Sequence, residues 1–251
     1  MIKRTVPVEL LELSFEENIL PLFRTYYCLN MNSNGYVKWR RGIRILIEEL
    51  KISRNTAKTH IRKLINRNWL GFDEKNKTIY IRSIQFIRWK ERRRLRFGVR
   101  LYYKDLINFR EFAFSGLMTK SIKVLRLREN KEGNLKEVPY QKLISLSHFP
   151  IALKLIKQRY GISKSTASRL RTNSMKLGYI NCKSSFRLER RINQSSVAQI
   201  RKHHPEYGRR LRIRHGRVYI QLPTRINSNL HPCKLMNLDK VSKYGNSGKE
   251  V

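Results

Sequence analysis

Apolar residues along this chain recur with two periods, and the period changes at matching places in its two halves. Ile43, Leu46, Ile47 and Leu50 fall at helical spacing, and so do Ala57, Ile61, Leu64 and Ile65. Two short amphipathic helices are therefore predicted, joined tightly through Lys51-Ile52-Ser53. Ser53 is a natural N-cap, because its hydroxyl can accept a bond from a backbone N–H of the following turn. After Asn68 the helical spacing stops. Residues 69–72, the polar stretch 73–77 and residues 78–82 read as a β-hairpin.

The second half repeats the plan. Leu153, Ile156 and Tyr160 line a first helix, and Gly161 sits in the turn, where the bend often needs a positive φ that glycine adopts at little cost. Lys51, at the matching place, is a poorer fit. Ser163 caps the next helix, whose inner stripe is Ala167, Leu170, Ser174 and Leu177. Residues 179–183 and 186–190 are predicted to form a second hairpin across a short Ser-Ser turn. The agreement extends to residue identity at a constant offset of 110. Ile52-Ser53-Arg54-Asn55-Thr56-Ala57 matches Ile162-Ser163-Lys164-Ser165-Thr166-Ala167, and Trp69-Leu70 matches Tyr179-Ile180.

Elsewhere the period is two. Leu95, Phe97, Val99, Leu101 and Tyr103 alternate with Arg94, Arg96, Gly98, Arg100 and Tyr102, which predicts a strand with one apolar and one basic face. Arg210, Arg212 and Arg214 alternate with Leu211 and Ile213, and His215-Gly216 turns into a second strand over 217–222. This basic ribbon is a hairpin with a row of arginines outward. Near the N-terminus, Ser14 with Glu17 three residues on has a capping-box pattern, and a helix start at Pro21 is equally defensible. From Thr224 the chain is rich in Asn, Ser and Lys, and a flexible tail is expected. The implied division is a first domain over 1–104, a second over 105–223 and a tail over 224–251.

Charge sharpens this picture. With 55 Lys and Arg against 18 Asp and Glu, the formal net charge of +37 implies an anionic counterpart. The acids are unevenly placed: none lies between Glu137 and Glu189, where ten Lys or Arg occur. A surface shaped for solubility alone would mix the signs. No apolar run approaches the ~18 residues of a spanning helix, and Glu9, Glu12, Glu16 and Glu17 spoil a signal-peptide reading. No membrane partner is expected. Cys28, Cys182 and Cys233 lie far apart, so neither a disulfide frame nor a zinc site is suggested. The expected setting is the cytoplasm, with the nucleoid or with phage or plasmid DNA.

The order helix, turn, helix, hairpin, met twice, resembles the winged helix-turn-helix superfamily over residues 36–83 and 143–191. Two such units on one chain are similar to the replication initiators of plasmids and phages. The chain departs from the family pattern at Ile47 and Lys157, where a small residue is common. The resemblance implies an α+β protein with tandem winged helix-turn-helix domains and additional basic β-ribbons. It further implies that the second helix of each unit enters the major groove of double-stranded DNA. The outward positions of these helices are then Arg54, Asn55, Lys58, Thr59 and Arg62 in the first, and Lys164, Ser165, Ser168, Arg169 and Thr172 in the second. Arg54, Asn55, Arg62 and Arg169 suit base edges, since Arg grips guanine and Asn grips adenine with two bonds. Ser53, Ser163, Lys58 and Lys164 suit phosphates near the helix start. Arg94, Arg96, Arg100, Arg210, Arg212 and Arg214 would add phosphate contacts.

Other readings compete with this one. Sequence-specific binding would serve transcription regulation or replication initiation, whereas a non-specific architectural or packaging protein would use the charge and little else. Single-stranded nucleic acid is a second candidate partner. Phe86, Trp89, Phe97, Tyr102 and Tyr103 lie among basic residues and could stack on bases, although Phe97 and Tyr103 fall on the apolar face of their strand and suit the core. Residues 10–23 could form a homodimer surface, a first core helix being the plainer reading. No catalytic constellation is found. His203-His204 is adjacent rather than spaced for a metal, there is no phosphate loop, and no carboxylates cluster for a two-metal site. The expectation is a non-enzyme without metal or cofactor, with His60 a half-buried packing residue.

Overall fold

The structure is a computed structural model that describes residues 3–93, 97–131, 148–184, 186–222 and 224–234. Arg94 and Arg96 lie outside the described residues, as do residues 235–251 of the expected tail.

Helix α6 (Phe109–Lys131) is the spine of the molecule. Phe109 is buried, and so is every residue from Phe112 to Thr119, so this stretch of the helix is covered around its circumference, as an apolar helix segment must be. Its buried hydroxyls turn back on their own helix: Ser115 donates to the Glu111 carbonyl and Thr119 to that of Ser115, both at 2.8 Å. Gly116 allows a close approach. A Cβ there would lie 2.8 Å from the Cδ1 of Leu11 in α1 (Val8–Glu16). One continuous core runs from Val6 to Ile226 and includes residues of both predicted domains.

Around this spine the first unit comprises α2 (Leu20–Asn32), β2 (Tyr36–Lys38), α3 (Trp39–Leu50), α4 (Arg54–Asn66), β3 (Leu70–Asp73) and β4 (Thr78–Ile81). The predicted hairpin forms, and its strands make a sheet in the order β2-β4-β3. Its turn is tied by the Asp73 carboxylate, which accepts from the Asn76 backbone N–H at 3.1 Å and from its Nδ2 at 2.8 Å. Helix α5 (Ile84–Lys90) follows.

The second unit comprises α6, β6 (Phe149–Pro150), α7 (Leu153–Tyr160), α8 (Lys164–Lys176) and β7 (Ile180–Lys183). Here the expected hairpin does not form. The strand β8 (Phe186–Leu188) exists, but β7 pairs instead with β11 (Arg225–Ser228), giving the order β6-β11-β7. The reason is burial. β11 places Ile226 fully inside the core opposite Cys182 and Phe149, and sets the Ser228 hydroxyl 2.5 Å from that of Thr119. The expected tail is thus corrected over 225–234. Besides β11, β12 (Pro232–Lys234) joins the sheet β1-β5-β12, where β1 is Lys3–Pro7 and β5 is Phe97–Tyr102.

Between β7 and β11 the chain builds a separate small module: β8, α9 (Ser196–His203), α10 (Pro205–Gly208), β9 (Leu211–Arg214) and β10 (Arg217–Gln221). Its sheet runs β8-β10-β9 and its own core is Val197, Leu211, Val218 and Ile220. The predicted arginine hairpin is therefore present. His215 and Gly216 both take positive φ (47° and 69°), the two-residue turn that suits the twist of paired strands.

Two further expectations are corrected, and a third segment takes its plainer reading. Ser14 caps nothing: it lies buried within α1 and donates to the Leu11 carbonyl at 2.7 Å, while α2 carries Pro21 in its first turn as the other reading has it. Leu10, Leu11, Leu13, Leu20 and Phe23 are in the core, so the apolar positions of residues 10–23 serve the plainer reading of a core segment. And β5 is no free ribbon but the central strand of its sheet, with Arg100 opposite Thr5 and only partly exposed.

Candidate nucleic-acid interface

Helices α4 and α8 each have 13 residues and the same ends. At the start, Ser53 accepts from the Thr56 N–H at 3.1 Å, and Ser163 from the Thr166 N–H at 3.2 Å. The preceding turn residues, Lys51 (φ 53°) and Gly161 (φ 67°), are both left-handed. Lys51 therefore bears the strain that Gly161 avoids. At the far end Asn68 (φ 60°) and Gly178 (φ 74°) are again left-handed. Beyond them, the Trp69 N–H bonds the Leu64 carbonyl and the Tyr179 N–H bonds that of Ser174, each at 2.9 Å. The offset of 110 thus persists in caps, backbone angles and hydrogen bonds.

Burial sorts the faces as the periodicity predicts. Ala57, Ile61 and Leu64 are buried in α4, and Ala167, Leu170 and Ser174 in α8. Ile65 is only partly buried, and Leu177 is 42% exposed, which removes it from the inner stripe. On the outer faces Ser53, Arg54, Asn55, Thr59 and Arg62 are exposed, as are Ser163, Lys164, Ser165, Arg169 and Thr172. Lys58 and Ser168 are half-buried. The Thr172 hydroxyl is already engaged by the Ser168 carbonyl at 3.1 Å.

Counter-charges are spent elsewhere. Arg67, just past α4, holds Glu91 through two bonds of 2.7 Å and Glu17 through one of 2.6 Å. Burial alone would lower its pKa, but these bonds outweigh it and the guanidinium is held above its usual value. Trp69 donates from Nε1 to the same Glu91 at 2.7 Å. Lys120 joins Glu9 (3.4 Å) and Glu12 (2.6 Å), tying α6 to α1. Among the described residues, no ion pair is formed by Arg54, Lys58, Arg62, Lys164 or Arg169. The two helices present cations without carboxylate partners, which leaves those charges open to an external anion.

The second unit is anchored differently at its equivalent of Trp69. Tyr179 donates to Asp105 at 2.9 Å, and burial together with that carboxylate pushes its phenol well above the ordinary tyrosine pKa. His60 lies beside Thr25 (Nδ1 to Oγ1, 2.9 Å), and burial, with Lys63 and Arg24 nearby, lowers its pKa. It borders a cleft of about 380 Å³ lined in part by Arg24, Thr25, Ile107 and Arg110.

Of the basic ribbons, Arg210, Arg212 and Arg214 are exposed on the module. Arg210 Nε donates to the Gln221 carbonyl at 3.2 Å and Arg212 Nη1 to the Arg209 carbonyl at 2.7 Å. Phe97 is buried and Tyr103 partly so, donating to Asn32 at 3.3 Å, whereas Trp89 is 71% exposed beside Arg88, Lys90 and Arg92. No helix among the described residues is long and apolar enough to cross a membrane. The sequence reading did not name Arg217 and Tyr219 among the binding residues, although its hairpin paired their strand with the arginine row. It missed Phe186, because nothing local places β8 in the same sheet. Comparison with known protein families, curated proteins and solved structures finds no match.

Proposed function

We propose that this chain is a sequence-specific duplex DNA-binding protein of the tandem winged helix-turn-helix kind. It would read its target with α4 and α8 and act as a replication initiator of a mobile element or as a transcription regulator. The observation that carries the reading is the repetition at offset 110. Two helices of equal length have the same caps and present outer faces whose cations lack carboxylate partners among the described residues. Supporting it, the hairpin after α4 lies in the order β2-β4-β3, and after α8 the three-stranded sheet β6-β11-β7 stands at the matching place without a local hairpin. Arg54, Asn55, Arg62 and Arg169 are assigned to base edges, and Ser53, Ser163, Lys58 and Lys164 to phosphates.

Selection from random duplexes at about 150 mM salt, close to physiological screening, tests this. The expected result is an enriched site with two parts. Arg54→Ala and Arg169→Ala should each relax one part, at a loss of about 1–3 kcal/mol for that site and little for random DNA. A retained pool identical to the input would reject specific reading and favour a charge-driven architectural role.

A further inference from the structure

The module inserted between β7 and β11 carries a surface that the recognition helices do not use. Registers place its residues on two faces, because directly paired residues of antiparallel strands share a face. Leu211 pairs with Ile220 and Ile213 with Val218; on this face Leu211, Val218 and Ile220 pack with Val197 of α9, while Ile213 at the hairpin end is exposed. The opposite face holds Arg212 with Tyr219, Arg214 with Arg217, and, through β8, Leu188 beside Tyr219 and Phe186 beside Gln221. Arg210 continues the row next to Gln221, whose N–H bonds the Arg210 carbonyl at 2.7 Å.

Two properties set this face apart. Among the described residues it has no acid, because Glu189 lies opposite Val218 on the other side, where it is 3.9 Å from Arg187. It also interleaves arginines with rings. Phe186 and Tyr219 are half-exposed, and the exposed Arg214 guanidinium lies 4.0 Å from the centre of the Phe186 ring, a flat cationic shelf already assembled. Over residues 186–222 there are ten Lys or Arg and two Glu. A duplex offers its phosphates outward and hides its base faces, so rings on an open sheet contribute nothing to duplex backbone contact. A single strand presents phosphates and unstacked bases together, the combination that arginine and ring side chains on a sheet can meet.

We infer that this face of the β8-β10-β9 sheet binds a single-stranded polynucleotide, with Phe186, Tyr219 and the Arg214 shelf stacking on bases and Arg210, Arg212 and Arg217 facing phosphates. The site is separate from α4 and α8 and stands or falls independently of the duplex reading above.

The test uses the full chain and three labelled probes in fluorescence anisotropy: an oligothymidylate of about 16 nucleotides, near the upper site size of such platforms, an oligouridylate of the same length, and a mixed-sequence duplex. Both single strands should bind, and their ratio reports whether DNA or RNA is the preferred source. Tyr219→Leu and Phe186→Leu, which keep apolar bulk but remove the ring, should each weaken single-strand binding about tenfold while leaving duplex binding unchanged. The double variant Arg212→Ala/Arg217→Ala alters only exposed side chains of β9 and β10. It should lower the slope of log affinity against log salt by about 1.4 for the single strands, about 0.7 for each phosphate that is no longer neutralised. Arg54→Ala should leave all single-strand values as they were. Failure of the wild-type chain to bind either oligonucleotide would overturn the inference. So would ring variants that leave single-strand affinity intact, or equal losses on duplex and single strand, which would make the face a duplex phosphate contact.

Discussion

The two units share their helices but differ in what closes the sheet behind them. In the first, β3 and β4 are joined by a short turn held by Asp73 and Asn76. In the second, the corresponding strands are β7 and β11, and an entire module with its own core stands between them. The anchors differ as well. Trp69 is fully buried and shares Glu91 with Arg67, whereas Tyr179 is only partly buried and reaches Asp105. The lesson is that the helix pair and its caps form the repeated element, while the hairpin and its anchor are free to change so long as the central strand still buries an apolar side chain.

Substitutions at offset-matched positions sharpen this contrast. The largest effect is expected at Trp69→Ala, which empties a fully buried ring site and should cost about 3–5 kcal/mol in denaturant unfolding. Because one core spans both units, the loss should appear in a single shifted transition; separate transitions for the two halves would break the shared-core account. At the matching site, Tyr179→Phe keeps the ring and removes one bond to the buried Asp105, so about 1–2 kcal/mol is expected by the same measurement. Equal losses at the two positions would mean that the anchors do not differ as described.

Smaller still are the caps. Ser53→Ala and Ser163→Ala should each cost about 1 kcal/mol, and near-equality is itself the expectation, since the two hydroxyls bond the same backbone position. The turn before each cap gives opposite signs. Lys51→Gly should stabilise by up to about 1 kcal/mol by relieving a left-handed backbone, and Gly161→Ala should destabilise by a similar amount. Thermal melts of the pair check this, and the same sign for both would contradict the observed φ angles.

Much of the helical framework was legible because local periodicity and capping chemistry act over a few residues. The α3–α4 and α7–α8 pairs, the Ser53 and Ser163 caps, the positive φ at Gly161 and the His215-Gly216 turn all rest on neighbours in sequence. The candidate residues on α4 and α8 were legible for the same reason, since a stripe buried at i, i+4 and i+7 in α4, or i, i+3 and i+7 in α8, leaves the opposite positions in solvent. Where two local signals competed, as with Ser14 and Pro21, sequence could not choose. Burial of Leu10, Leu11 and Leu13 decided for a helix that begins before Ser14.

By itself, then, the sequence determined that two capped helix pairs recur at one offset on a chain of strongly positive charge. Only the tertiary structure decided which strands lie side by side. Ser-Ser after Lys183 allowed a local hairpin, yet Ile226, more than forty residues on, had the better claim to the central position because its side chain is fully buried there. That same choice released β8 to the module and brought Phe186 beside Arg214. Strand pairing depends on which distant apolar residue gains most from burial, and no window of neighbouring residues contains that information.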